Sequence, residues 1–140
     1  MLASGHVEGP RMRIRLTSVM VDDQQKALDF YTGVLGFLPK RDIPVGPYRW
    51  ITVTSPEGPP EVELALEPNA NPAGKAFQEG MFTQGIPVAA FEVDDITRET
   101  ARLTAMGVAF TRPPTPAGPV VIAIFADTCG NLIQIYARNK

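Results

Sequence analysis

Val21-Asp22-Asp23, followed by Gln24 to Lys26, Ala27, Phe30-Tyr31, Val34 and Leu35-Gly36-Phe37, reads as the end of a strand, a helix start, an amphipathic helix and a stop. The Asp22 and Asp23 carboxylates can accept hydrogen bonds from the unpaired N–H groups of a first helical turn. Ala27, Phe30, Tyr31 and Val34 fall at i, i+3, i+4 and i+7, which lines them along one helix face. Upstream, Arg11, Arg13 and Arg15 alternate with Met12, Ile14 and Leu16 before Val19-Met20-Val21, a strand pattern. Downstream lie three further strand candidates, Phe37 to Asp42, Tyr48 to Thr54 and Glu61 to Leu66, separated by Pro/Gly-rich gaps. The order is βαβββ.

The same grammar returns in the second half. Val88 to Val93 reads as a strand and Asp94-Asp95 as a helix start. A helix carrying Ile96, Leu103 and Met106 runs to Gly107, and three strands follow at Ala109 to Arg112, Val120 to Phe125 and Leu132 to Tyr136. Val21-Asp22-Asp23 matches Val93-Asp94-Asp95 at an offset of 72. Leu35-Gly36-Phe37 matches Met106-Gly107-Val108 at 71, and Val62-Glu63-Leu64 matches Ile133-Gln134-Ile135 also at 71, so one deletion within the second helix reconciles all three. The expected organisation is a tail over 1–10 and one domain over 11–140, with module one at 11–67, a connector at 68–86 and module two at 87–140.

A chain of 140 residues suits one domain with a respectable core. A net charge of −2 and a pI near 5.4 offer no positive field for nucleic acid or an anionic membrane, so neither is an expected partner. Cys129 is the single cysteine and His6 the single histidine, which excludes an internal disulfide and Cys/His zinc spacing. A reducing, cytoplasmic setting fits. Met1 to Pro10 has no apolar run and reads as a loose tail, not a signal peptide or a spanning helix. The connector, with Pro68, Asn69, Asn71, Pro72 and Gly74 before a short helix around Lys75 to Glu79, is either a plain linker or a cover for a binding site.

The run from Val21-Asp22-Asp23 through Phe30-Tyr31 to Leu35-Gly36-Phe37 resembles the opening of the glyoxalase/bleomycin-resistance protein/dioxygenase (vicinal oxygen chelate) superfamily. Phe91 to Asp95 resembles the start of that family's second module, and Asp127-Thr128-Cys129-Gly130-Asn131 with Leu132 to Ile135 resembles its closing turn and last strand. The resemblance implies an α+β fold: two tandem βαβββ modules whose curved mixed sheets surround a central cleft, one helix behind each sheet. Homodimerisation is a further implication, with some relatives building clefts across the dimer interface. Strand alternation then puts Thr17, Val19 and Val21 on the helix side and Leu16, Ser18 and Met20 in the cleft. The same alternation sends Glu61, Glu63, Val88, Ala90, Leu132, Gln134 and Tyr136 into the cleft.

The resemblance also implies four metal-ligand positions, which fall at Leu16, Glu63, Val88 and Gln134. Leu16 and Val88 have no donor atom, so no cofactor is expected. A weakly bound divalent cation (Mn, Fe, Ni or Zn) on Glu63 and Gln134 is the alternative. Glu63 and Gln134 would occupy equivalent positions and approach one another in an apolar cleft that raises the Glu63 pKa, making Glu63 a possible general base. The bland alternative is a mutual hydrogen bond. Trp50, beside Arg49, is a candidate for stacking on a planar ligand, and Tyr136 for donating a hydrogen bond to one. Cys129 lacks the basic partner a nucleophile needs. Two functions follow: binding of a small organic molecule in a largely apolar cleft with a degenerate metal site, or a metal-dependent lyase, isomerase or ring-cleaving dioxygenase.

Overall fold

The computed structural model describes Gly9 and residues 11–139; apart from Gly9, the expected tail, including His6, lies outside the described residues. Strand β1 (Leu16–Val21) leads into α1 (Gln24–Asp29), which continues as a π-helical turn over Phe30–Val34. Strands β2 (Leu38–Val45), β3 (Tyr48–Thr54) and β4 (Glu63–Pro68) complete module one. Helix α2 (Pro72–Thr83) fills the connector. Module two is β5 (Ala89–Glu92), α3 (Ile96–Ala105), β6 (Phe110–Ala117), β7 (Val120–Ala126) and β8 (Leu132–Arg138). Each module forms a four-stranded mixed sheet, ordered β1-β4-β3-β2 and β5-β8-β7-β6.

The second aspartate of each pair acts as read, while among the described residues the Asp22 and Asp94 carboxylates accept from no N–H of the first turn. Asp23 caps α1 by accepting from the Lys26 N–H at 3.0 Å, and Asp95 caps α3 by accepting from the Arg98 N–H at the same distance. Gly36 and Gly107 end their helices at φ +89°, a conformation that side chains with a Cβ rarely adopt.

Strand pairing refines the repeat. Val45 pairs with Tyr48 and Ala117 with Val120, so the hairpins repeat at 72, like the helix caps. The drop to 71 at the two glycines has a local cause: the π-helical turn takes up one extra residue in the first helix, with the Leu35 N–H reaching back five residues to the Phe30 carbonyl. A register shift between Arg112 and Thr115 in β6 restores 72. The last strand departs from the expected offset. Ser18 and Thr52 both pair with Ala65, whereas Ala90 and Ile124, which lie 72 further on, both pair with Gln134. Gln134 therefore corresponds to Ala65 and Glu63 to Leu132, an offset of 69. The 71 suggested by Val-Glu-Leu and Ile-Gln-Ile is a two-residue slip, which alternation hides because it preserves the face of every side chain.

The modules share one core. Val19, Val21, Ile51, Val53, Leu64 and Leu66 pack with Ala27, Phe30 and Tyr31, and this group is continuous with Leu103, Phe125, Ile133 and Ile135 of module two. Phe30 lies 6.4 Å from Phe125 and Phe37 stands edge-on to Phe91 at 5.1 Å, both across the module boundary. The Tyr31 hydroxyl donates to the Asp127 carboxylate at 2.6 Å, with both residues fully buried. Burial, then the Asp127 carboxylate and its hydrogen bond, hold the Tyr31 pKa well above the usual phenol value, so Tyr31 remains the donor.

The connector is an ordered element pinned at its middle. Gln78 is 3% exposed and its amide donates to the Met20 and Cys129 carbonyls at 2.9 and 3.1 Å and to the Asn131 side chain at 3.2 Å. Its own oxygen accepts from Asn69 at 2.8 Å. One side chain thereby ties the connector to both modules. Gly130 permits this approach, since a Cβ there would stand 2.7 Å from the Gln78 amide nitrogen.

Candidate functional site

The strand faces turned away from the helices carry the residues singled out by alternation. On module one, Leu16, Ser18 and Met20 line β1, with Glu63, Ala65 and Glu67 opposite them on β4. Trp50 and Thr52 on β3 and Ile43 and Arg41 on β2 continue the same face, because directly paired residues share a side. In the single chain this face is open: Leu16 is 51% exposed and Ile43 49%. On module two the corresponding face has Ala90, Gln134, Tyr136, Ile122 and Ile124. Ile124 and Leu132 are buried there, yet neither belongs to the helix-side core cluster, as their orientation requires.

Three expected positions differ in detail. Glu61 lies before β4, exposed in the turn rather than on the strand. Val88 precedes β5, is half-buried and packs against the helix-side core while its N–H donates to the Leu132 carbonyl. Arg49 is committed to structure: its guanidinium makes two bonds to Asp42, at 3.0 and 2.6 Å, and a third to Gln25 at 2.8 Å. The hydrogen bonds between the two groups lower the Asp42 pKa and raise that of Arg49. Trp50 beside it stays half-buried on the open face.

Glu63 is held differently from the expectation. Its Oε1 accepts from the Thr52 hydroxyl at 2.6 Å and from Arg41 Nε at 3.0 Å, while Lys40 Nζ lies 3.9 Å from Oε2. The Thr52 hydrogen bond, followed by Arg41 and then Lys40, lowers the Glu63 pKa and outweighs the opposing effect of burial. The expected upward shift is therefore reversed: donors occupy a carboxylate that the sequence placed among apolar neighbours. Nor do Glu63 and Gln134 hydrogen-bond one another; the strand register separates their positions by one pairing step. Among the described residues no three His, Cys, Asp or Glu side chains gather as a metal-holding group. A lowered carboxylate pKa contributes stability above the unfolded-state value, about 4.3 for glutamate, and loses it as pH falls through the lower folded value. Glu63→Gln should accordingly flatten the acid limb of a pH–stability curve below that range and leave the curve unchanged in shape above it, as measured by urea unfolding.

Cys129 is fully buried in the closing turn, where its thiol pKa is pushed up to about 12 by burial, then by Asp127 and Asp22. It stays protonated and unreactive. A thiol reagent at pH 8 should leave the native protein unlabelled and modify one cysteine after denaturation; fast native labelling would contradict this.

Sequence reading missed a second recess, at the module boundary. A hollow of about 750 Å³ lies between Leu35 to Phe37 and Ser55 to Gly58 of module one and β5 with the start of α3. Neither Glu63 nor Gln134 lines it. Its only sequence signal was the unequal length of the two last loops.

Two βαβββ modules with a common helix-side core and open opposite faces define a paired-module scaffold. The chain belongs to the Glyoxalase/Bleomycin resistance protein/Dioxygenase superfamily, whose family model matches residues 12–135. It is 52% identical over 127 residues to the uncharacterized protein YurT of Bacillus subtilis (strain 168), covering 91% of this chain and all of that one. Among solved structures, UcmS2 superposes with a TM-score of 0.78 at 30% identity, covering 91% of this chain and 98% of the other. TnmS3, an antibiotic binding protein from Streptomyces sp. CB03234, superposes with a TM-score of 0.74 at 27% identity, covering 94% of this chain and all of the other. Among the described residues no helix is long and apolar enough to cross a membrane.

Proposed function

We propose that this chain binds a small organic molecule against the open sheet faces, that a second copy of the chain completes the cleft, and that the family's metal site is degenerate. The observation that carries the reading is the face of module one, where exposed Leu16 and Ile43 and half-buried Trp50 flank a Glu63 whose charge is already committed to Thr52 and Arg41. Apolar surface around a few fixed polar groups is the usual make-up of a small-molecule site. The loss of metal is supported by Leu16 and Val88, which lack donor atoms, and by the register that matches Gln134 with Ala65. The second copy is supported by apolar side chains left exposed along β2 and its hairpin, such as Val45 at 58% and Tyr48 at 45%. The antibiotic-binding description of TnmS3 supports a ligand of that general kind.

Trp50 is the single tryptophan, so its fluorescence reports on this face alone. Titration with a panel of planar aromatic compounds should give saturable quenching that Glu63→Ala reduces only modestly, and light scattering should give the mass of a dimer. Metal analysis should find no stoichiometric ion. Stoichiometric Mn, Fe, Ni or Zn that disappears in Glu63→Ala would replace this reading with a metal-dependent lyase, isomerase or dioxygenase.

A further inference from the structure

The pseudo-twofold relation between modules makes two equivalent boundaries, each where the loop before one module's last strand meets the helix of the other module. Counting 72 from the hairpins, Asp127 corresponds to Ser55. At the Asp127 boundary the space is filled. Tyr31 donates to Asp127, the Asp22 N–H donates to the Cys129 carbonyl at 3.1 Å, and Gln78 inserts beside them. At the Ser55 boundary the counterparts of Tyr31 are Leu103, counted from the helix cap, or Arg102, counted from Gly107. Among the described residues Asp94 makes no backbone bond matching that of Asp22. The result is the 750 Å³ hollow.

Its chemistry is one-sided. The floor is apolar, with Phe37 and Phe91 half-buried and edge-to-face, and Leu35 and Val93 beside them. Around it stand Glu57, Glu92, Asp94, Asp95 and Glu99, against Arg98 and Arg102. Arg102 is already bound to Glu99 by two bonds of 2.9 Å, and Glu92 to Arg138 at 3.2 Å. Asp95 caps α3. Exposed Glu57 and Asp94 thus remain without a bonded cation among the described residues, and Arg98 is the guanidinium left at the rim. Aromatic faces favour a cation over an anion, and carboxylates above them add to that preference.

We infer that this hollow is a second binding site, separate from the open sheet faces, for a small organic cation with an apolar body, such as an aromatic amine or quaternary ammonium compound. The apolar part lies on Phe37 and Phe91, and the positive centre faces Glu57 and Asp94.

The test uses the full chain and benzyltrimethylammonium chloride, with benzyl alcohol as the neutral comparison, followed by amide chemical shifts. Saturable shifts should concentrate at Phe37, Glu57 to Gly58 and Phe91 to Asp94, with the cation bound about tenfold more tightly than the alcohol. The doubly substituted E57Q/D94N protein changes only exposed side chains and should fold normally while losing about tenfold in cation affinity. Absence of saturable shifts at millimolar probe, equal binding of cation and alcohol, or unchanged affinity in the double variant would overturn the inference. Shifts centred on Trp50 and Gln134 would assign the probe to the sheet faces and overturn it too. A dimer mass that changes in the double variant would mark the hollow as a protein interface, with the same consequence. None of these outcomes depends on whether a planar neutral compound quenches Trp50.

Discussion

Replacing Asp127 with alanine should lower stability by about 3–5 kcal/mol, among the largest effects of any single side chain away from the aromatic core. The carboxylate is fully buried and accepts four hydrogen bonds: from the Tyr31 hydroxyl at 2.6 Å, the Cys129 N–H at 2.8 Å, the Asn131 N–H at 3.0 Å and the Asn131 side-chain amide at 2.8 Å. Truncation would leave all four donors in a dry interior. Two of them hold the turn in which Thr128 adopts φ +63°, a conformation that a threonine does not take without support. Thermal unfolding should fall by about 10–15 °C. Tyr31→Phe, which removes one donor and keeps the ring, should cost less, about 1.5–3 kcal/mol. Equal losses in the two variants would mean that the Tyr31–Asp127 hydrogen bond alone, rather than the four-bond carboxylate network, secures the boundary.

Gln78→Ala should release the connector without dissolving the sheets. Its amide satisfies two main-chain carbonyls and the Asn131 side chain, and its oxygen accepts from Asn69, so truncation should cost about 2–3 kcal/mol. The loss should be local first. Amide exchange in Pro72–Thr83 should accelerate while β3 and β7 keep their protection, since those strands lie in the centre of their sheets. Uniform acceleration across the chain would show that the connector does not open independently.

The fold was legible because its signals are local and doubled. Asp23 and Asp95 cap their helices, Gly36 and Gly107 stop them, and alternation sorted Val19 and Val21 from Leu16, Ser18 and Met20. The candidate site was legible only as far as alternation reaches. A side chain's face follows from the parity of its position, whereas its neighbour across the ladder follows from register, and Val62-Glu63-Leu64 fits Ile133-Gln134-Ile135 at 71 or, one pairing step away, misses it. Glu63 shows the same boundary in energetic terms. Its apolar neighbours were readable from β1, but Thr52 and Arg41 come from other strands, joined through a bulge between Pro39 and Arg41 that no local pattern signals. Gln78 was passed over because a polar residue inside a connector reads as solvent-facing until the elements around it are assembled.

The π-helical turn at Phe30–Val34 has a bearing on how such a duplicated chain can change length over time. It swallows one extra residue while Phe30 and Tyr31 both stay buried and the following hairpin keeps its place. The bulge in β6 and the shorter loop before β8 serve the same end in module two. The length differences between the two halves thus fall at spots where the backbone can dissipate them within a turn. Those are the spots at which a protein engineer should add or remove residues.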